Sequence, residues 1–308
     1  MKRVLCLCFM LMLSFVKAQE FNGSDSQSEV KQLVSSIAPL YSLLQSMTEG
    51  LPVENHLLIA PERSPHNHQF RPSDLQKLTQ ADYLLWVGPD LESMLPGVLH
   101  RLPSDAVQRS FMAMAQLNLL PTRDHHSHGH DHDHHHGEYD AHLWLDISNL
   151  QLLAAQIYQD LLQINPAWQP TLAVNFQRTQ QELHQLDAHL LASLASIGDA
   201  PFIVFHDAYQ YFEKRYGLQS IAAVLDPGRV GTSLQRQFQL RALIREHQAL
   251  CVFVEPQFEQ SRVRAMVGDS AQIKELDPLG VGLPLDSQLH LLVLRQIADQ
   301  LQLCMLGE

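Results

Sequence analysis

Residues 166–196 read PAWQPTLAVNFQRTQQELHQLDAHLLASLAS, and no glycine interrupts the chain until Gly198. Within this stretch Phe176, Leu183, Leu186, Leu190 and Leu194 recur at intervals of seven, three and four. That spacing lines one face of a 3.6-residue helix. The stretch predicts one long continuous helix near the middle of the chain, so its role depends on what lies on either side.

On the N-terminal side, short apolar runs alternate with amphipathic stretches. Strands are expected over Val30–Ser35, Val53–Ile59 and Tyr83–Val87, the last stopped by Gly88-Pro89. Helices are expected over Pro39–Thr48 and over Ser73–Gln80, with Ser73 as cap. The C-terminal side repeats the pattern. Strands are expected over Phe202–Phe205, Ile221–Leu225, Leu250–Val254 and Gln272–Leu276. Between them come helices over Tyr209–Arg215 (ended by Gly217), Ser233–His247 (capped by Ser233) and Ser261–Val267, with a last serine-capped helix from about Ser287 to Cys304. Such βα alternation implies largely parallel sheets with helices on both faces. The expected fold class is therefore α/β. Two parallel-sheet lobes, 19–165 and 198–308, are joined by one rigid helix over 166–197, which resists the wide hinge motion that flexible linkers would allow.

The first eighteen residues read as a secretory signal. Lys2 and Arg3 precede an apolar run from Val4 to Val16, and Val16-Lys17-Ala18 is a small-residue cleavage pattern. The run is too short for a transmembrane helix. Cys6 and Cys8 leave with it, and no small residue precedes either, as a lipoprotein signature would require. Removing Lys2, Arg3 and Lys17 takes the formal charge from -12 to -15 (-12 - 3). So acidic a chain argues against nucleic acid and anionic lipid as partners and is compatible with attracting cations. Cys251 and Cys304 remain, and an isolated pair in an oxidising compartment reads as one disulfide. On the chain-entropy model such a closed loop stabilises the fold by roughly 4 kcal/mol. The alternative, a thiolate metal site, lacks CxxC spacing.

Eight of the twelve residues from His125 to His136 are histidine: His125, His126, His128, His130, His132, His134, His135 and His136. No residue there can bury an apolar face, so 124–137 is expected to be a solvated loop. Imidazole is the commonest protein ligand for zinc and also suits copper and nickel. The loop points to a divalent metal, bound weakly because ordering a mobile chain costs conformational entropy.

Three histidines outside the loop stand apart. His66 follows Pro65 in the irregular stretch 61–69, just after a strand. His142 lies in Asp140-Ala141-His142-Leu143-Trp144-Leu145, between the loop and a helix. His206 directly follows the strand Phe202–Phe205. Ligands of open α/β sheets bind at the carboxyl ends of strands. Three histidines converging in an interlobe cleft would make a tetrahedral metal site with one position open. His56, His100, His184, His189, His247 and His290 are explained by helical or exposed positions. Glu255 also ends a strand, where it either orients a ligand imidazole or forms a surface salt bridge. Asp207 is placed to cap the helix after His206.

Six segments occur in one order: Phe70-Arg71-Pro72-Ser73-Asp74, Trp86-Val87-Gly88-Pro89, His142-Leu143-Trp144-Leu145, the run from Phe205-His206-Asp207-Ala208-Tyr209 to Tyr211-Phe212-Glu213-Lys214, Val254-Glu255-Pro256-Gln257-Phe258 and Leu276-Asp277-Pro278-Leu279-Gly280. In these, and in the His-rich acidic loop just before His-Leu-Trp-Leu, the chain resembles the periplasmic zinc-binding proteins of high-affinity zinc ABC transporters (ZnuA type). These are solute-binding proteins with a rigid interdomain helix. The resemblance covers nearly the whole mature chain. It implies Zn(II) as the bound ion, His66, His142 and His206 as ligands, a Cys251–Cys304 disulfide, an inner-membrane ABC permease as partner, and a periplasmic location. Relatives carry glutamate directly before the first ligand histidine where this chain has Pro65. That leaves the fourth position open between Asp277, at a strand end and matching an acidic position of the family, and water; Glu62 and His68 share the loop of His66.

The expected function is capture of Zn(II) and delivery to the permease by a monomer that is not an enzyme. Two other readings compete. A zinc hydrolase would use Glu255 as base, but HExxH is absent and no Ser or Cys nucleophile stands beside a base. A periplasmic metal buffer or chaperone would bind mainly through the loop.

Overall fold

The structure, a computed structural model, describes residues 30–123, 137–225, 233–249, 251–269 and 271–306. The signal reading of 1–18 and the histidines of 125–136 lie outside the described residues. The N-terminal lobe begins β1 (Lys31–Ser35), α1 (Ala38–Thr48), β2 (Val53–Leu57), α2 (Pro72–Thr79), β3 (Tyr83–Trp86) and β4 (Val107–Ser110), and continues into α3 (Ile147–Ile164). The long helix α4 follows (Gln169–Leu194). The C-terminal lobe has β5 (Phe202–Val204), α5 (Gln210–Tyr216), β6 (Ser220–Ala223), α6 (Leu234–His247), β7 (Cys251–Val254), α7 (Gln260–Val267), β8 (Gln272–Glu275) and α8 (Leu289–Met305). Each lobe holds a four-stranded sheet, ordered β2-β1-β3-β4 and β6-β5-β7-β8, and every strand pair is parallel. The two sheets repeat one topology. Among the described residues no helix is long and apolar enough to cross a membrane.

The helix α4 runs for 26 residues, about 39 Å at 1.5 Å per residue. Its first half binds the N-terminal lobe. Asn175 Nδ2 donates to the carbonyls of Met47 (3.0 Å) and Glu49 (2.8 Å) at the end of α1, and the Ser46 and Thr179 hydroxyls meet at 2.8 Å. Its second half binds the C-terminal lobe: Arg215 of α5 donates to both Asp187 oxygens at 2.6 Å, and Gln302 of α8 donates to the Ser193 carbonyl. Leu183, Leu186, Leu190 and Leu194 are buried as the periodicity predicts, while Phe176 is half-buried against Tyr158. One apolar core runs without a break from the first sheet (Leu33, Tyr83, Leu85) through α1, α3, α4 and α8 to the second sheet (Phe202, Val204, Phe253). Domain closure would have to shear that core, which close packing resists.

Three local expectations need correction. α2 starts at Pro72 rather than after Ser73; Asp74 instead accepts from the Arg71 amide at 2.9 Å, and proline suits the first helical position. Ser287 does not cap α8, which begins after Gln288. Asp207 does not cap α5, whose cap residue is Tyr209; its carboxylate is bound by Arg123. His290 is helical, as read from the sequence, and it is buried in α8, where its Nδ1 meets Ser42 Oγ of α1 at 2.9 Å. The expected cap of α6 does form, with Ser233 Oγ accepting from the Arg236 amide at 3.1 Å. Gly217 ends α5 at φ 71°, a conformation that favours glycine. The Cys251–Cys304 disulfide ties the start of β7 to the end of α8.

Candidate metal centre

His206 directly follows the strand end, His142 follows an antiparallel bridge, and His66 lies farther on, in the loop after β2. After β2 the chain continues to Ile59, held by amide bonds to the Ser35 and Ser36 carbonyls, and Pro65 then opens a one-turn 3-10 helix carrying His66. The Ser93 hydroxyl donates to the His66 carbonyl at 3.3 Å, and Gln257 reaches from the other lobe to the Pro61 carbonyl at 2.8 Å. His142 comes from a short antiparallel ladder in which Thr122 and Asp140 donate to the Glu138 and Leu120 carbonyls. The Thr122 hydroxyl also donates to the Gly137 carbonyl at 2.8 Å, and both residues line the cleft. His206 follows β5, and Glu255 follows the adjacent strand β7, so the two share one sheet edge.

Among the described residues these three histidines form the one group of ligand-type side chains that converges. One nitrogen from each lies within 4.8 Å of the others. The ring centroids of His66–His142, His66–His206 and His142–His206 are 5.5, 5.3 and 4.9 Å apart. His142 is buried, His206 is half-buried, and His66 keeps the most open surface. His142 Nδ1 lies 2.7 Å from Asp140 Oδ1, and His206 Nδ1 lies 3.3 Å from Glu255 Oε1. Both carboxylates are buried. Each leaves the Nε2 of its histidine free for another partner.

The environment acts differently on the rings. Although His66 keeps an open surface, desolvation among the surrounding cleft residues, then the neighbouring His206 and His142, push it well below the ordinary histidine value, which favours the neutral, metal-competent form. At His206 burial also disfavours the charge, but Glu255, Asp140 and Asp207 outweigh it and raise the value. Protons therefore compete for His206 sooner than for His66 as pH falls. Between the cleft-lining residues Asp90 and Ser93, buried Glu92 accepts from the Val87 and Gly88 amides at 3.1 and 2.9 Å, and burial pushes its carboxyl up to about 7.

Asp277, the protein candidate set beside water for the fourth position, is outside this group. Its Oδ1 accepts from the Leu279 amide at 2.9 Å and its Oδ2 from the Val281 amide, so both oxygens bind the turn after β8. Glu62 is exposed and outside the group too, and His68 faces Asp74 of α2 at 3.6 Å and packs on Phe70. The cleft encloses about 540 Å³ and is lined from both lobes, with Asp90 and Tyr139 opposite Leu225 and Phe258. A single ion needs far less, so water has access to an open position. Sequence reasoning missed Asp140 and Arg123. A carboxylate two residues before a candidate ligand was a signal for the first. Nothing local marks the second, which reaches Asp207 and Glu213.

The chain matches a protein-family model described as "ZnuA: Zinc-uptake complex component A periplasmic" over residues 33–304. It is 32% identical to the high-affinity zinc uptake system protein ZnuA of Yersinia pestis, with 96% of each chain covered. It is 32% identical to the protein of that name from Brucella abortus (strain 2308), with 92% and 95% covered. Among solved structures it is similar to a crystal structure of ZnuA (TM-score 0.75, 24% identity, 88% of this chain and 99% of that one). It is also similar to the periplasmic zinc binding protein TroA of Treponema pallidum (TM-score 0.74, 21% identity, 89% and 99%). At such identities the structures speak to the fold, and they share the two-lobed architecture. Family match and full-length similarity agree, and the chain belongs to the ZnuA family of periplasmic zinc-uptake components.

Proposed function

We propose that this chain captures one Zn(II) in the periplasm, through His66, His142 and His206, and hands it to an inner-membrane ABC permease. The observation that carries the reading is the convergence of three imidazole nitrogens within 4.8 Å from both lobes. Three neutral nitrogens and one open position suit tetrahedral zinc. Water fills the fourth position in this reading, because the Asp277 oxygens are engaged by backbone amides. Asp140 holds the Nδ1 edge of His142, which fixes its tautomer and raises ligand basicity, and Glu255 lies 3.3 Å from the Nδ1 of His206, placed to act on that ring in the same sense. The ion is cargo, and no reaction follows: Glu255, the base a hydrolytic reading would use, faces the Nδ1 of His206. The protein works as a monomer. The segment 124–136, with its eight histidines, gathers zinc weakly; Thr122 and Gly137, which flank it, line the cleft. Because a continuous core surrounds α4, release comes from local change around His66 on its one-turn helix rather than from lobe opening.

Competition against a chelator of known affinity tests the assignment. His206→Ala removes one of three ligands and is expected to weaken zinc binding by orders of magnitude while the fold persists. His247→Ala, at the exposed end of α6, is expected to bind as the parent does. Equal affinities in the two variants would overturn the assignment.

A further inference from the structure

Asp140 touches more than one ligand-bearing segment. Its Oδ1 accepts from His142 Nδ1 at 2.7 Å and from the His142 amide at 2.9 Å. Acceptance from Nδ1 places the ring proton there and leaves Nε2 with its lone pair, the form a metal requires. The same residue is held from the opposite lobe. Gln210 Nε2 donates to Asp140 Oδ2 at 3.3 Å, and the Tyr211 hydroxyl donates to the Asp140 carbonyl at 2.8 Å. The Tyr211 oxygen in turn accepts from the amide of Leu120 at 3.1 Å, and the Leu120 carbonyl accepts from the Asp140 amide. Gln210 and Tyr211 open α5, the helix that His206 leads into. A chain of hydrogen bonds therefore runs from the segment carrying one histidine to the segment carrying another, across the cleft. Arg123 fastens the same helix from the N-terminal side, through Asp207 and Glu213.

We infer that Asp140 is a positioning residue for zinc capture: braced by Gln210 and Tyr211 of α5, it fixes the His142 tautomer and sets the His142–His206 separation before the ion arrives. The inference rests on the three-histidine reading above. It explains how a site divided between lobes stays assembled without metal, with ring centroids of His142 and His206 at 4.9 Å. A preformed site binds without first ordering its ligands.

The test uses the full-length mature protein and zinc alone as probe. Asp140→Ala is expected to lose about 10- to 100-fold in zinc affinity, the usual cost of removing such a partner. Asp140→Asn, whose amide oxygen still accepts from Nδ1–H, is expected to recover part of that loss. Tyr211→Phe cuts the brace without touching the histidine and is expected to weaken binding by a smaller factor. Nitrogen-15 NMR of the metal-free parent should show His142 protonated at Nδ1, and Asp140→Ala should show a tautomer mixture. X-ray absorption should report three imidazole nitrogens around zinc in both. Unchanged affinity in Asp140→Ala would overturn the inference. So would loss of an oxygen from the zinc shell, which would make Asp140 a ligand. If Asp140→Ala fails to fold, the tautomer of the parent and the affinities of Asp140→Asn and Tyr211→Phe decide the matter: an Nε2-protonated His142, or parental affinity in both, refutes it. His142→Ala separates the two levels. If it leaves affinity intact, the three-histidine reading fails; if it abolishes tight binding while Asp140→Ala does not, only the positioning role fails.

Discussion

His290 gives the molecule a defined acid sensitivity. It is 1% exposed, and its Nδ1 lies 2.9 Å from Ser42 Oγ, joining α8 to α1. Burial pushes its value down to about 3 from the ordinary 6.5, with no charged group contributing. The folded state thus keeps the ring neutral while the unfolded chain takes up a proton below 6.5. Stability is fully present above that value and is lost as pH falls toward 3. Between pH 7 and pH 4 the loss from this group amounts to about 3 kcal/mol, at about 1.4 kcal/mol per pH unit over the interval where only the unfolded ring is charged. Other groups also titrate there, so the parent must be compared with His290→Gln, a neutral residue of similar reach. Denaturant unfolding of the metal-free proteins at pH 7, 5.5 and 4 isolates the difference. His290→Gln is expected to start less stable at pH 7 and to fall less steeply, so that the gap narrows or reverses by about 3 kcal/mol at pH 4. Parallel pH profiles would refute the reasoning.

The remaining expectations concern the staple and the loop. The Cys251–Cys304 disulfide closes a loop of 53 residues, worth about 4 kcal/mol on the chain-entropy model; paired Cys251→Ser and Cys304→Ser substitution should lower the melting temperature by roughly 8–16 °C and leave zinc affinity unchanged, and a melting temperature that does not move would contradict this. Deleting 124–136 should reduce bound zinc to the single tight ion and barely shift the metal-free melting temperature, as isothermal titration and calorimetry would show; loss of the tight site would mean that the loop supplies a ligand.

Much of this fold was legible because local and global signals agree. Strands buried on both faces read as apolar runs, as in Phe202–Val204 and Cys251–Val254. The leucine spacing of α4 survives because that helix buries a single stripe between two lobes. Legibility fails where partners are distant. β4, Val107–Ser110, is a polar edge strand whose Arg109 pairs with Asp160 of α3, so no alternation announces it. His290 sits within a helix that buries Leu289, Leu291, Val293 and Leu294, a neighbourhood that deserved a core reading. Of the site, the strand-end position of His206 and the irregular loop carrying His66 were visible. The supports were not: Asp207 meets an arginine 84 residues away, and Asp140 is held by a helix 70 residues on.

The central claim is that one zinc ion lies between the lobes on three histidines. A crystal structure of the zinc-loaded protein, with anomalous scattering collected on both sides of the zinc edge, tests it most directly. One strong peak is expected, bonded to a nitrogen each of His66, His142 and His206 at about 2.0–2.1 Å. Water is expected as the fourth ligand, with Asp277 still bound to its own turn. A peak elsewhere, or a zinc shell lacking any of the three histidines, would contradict the account.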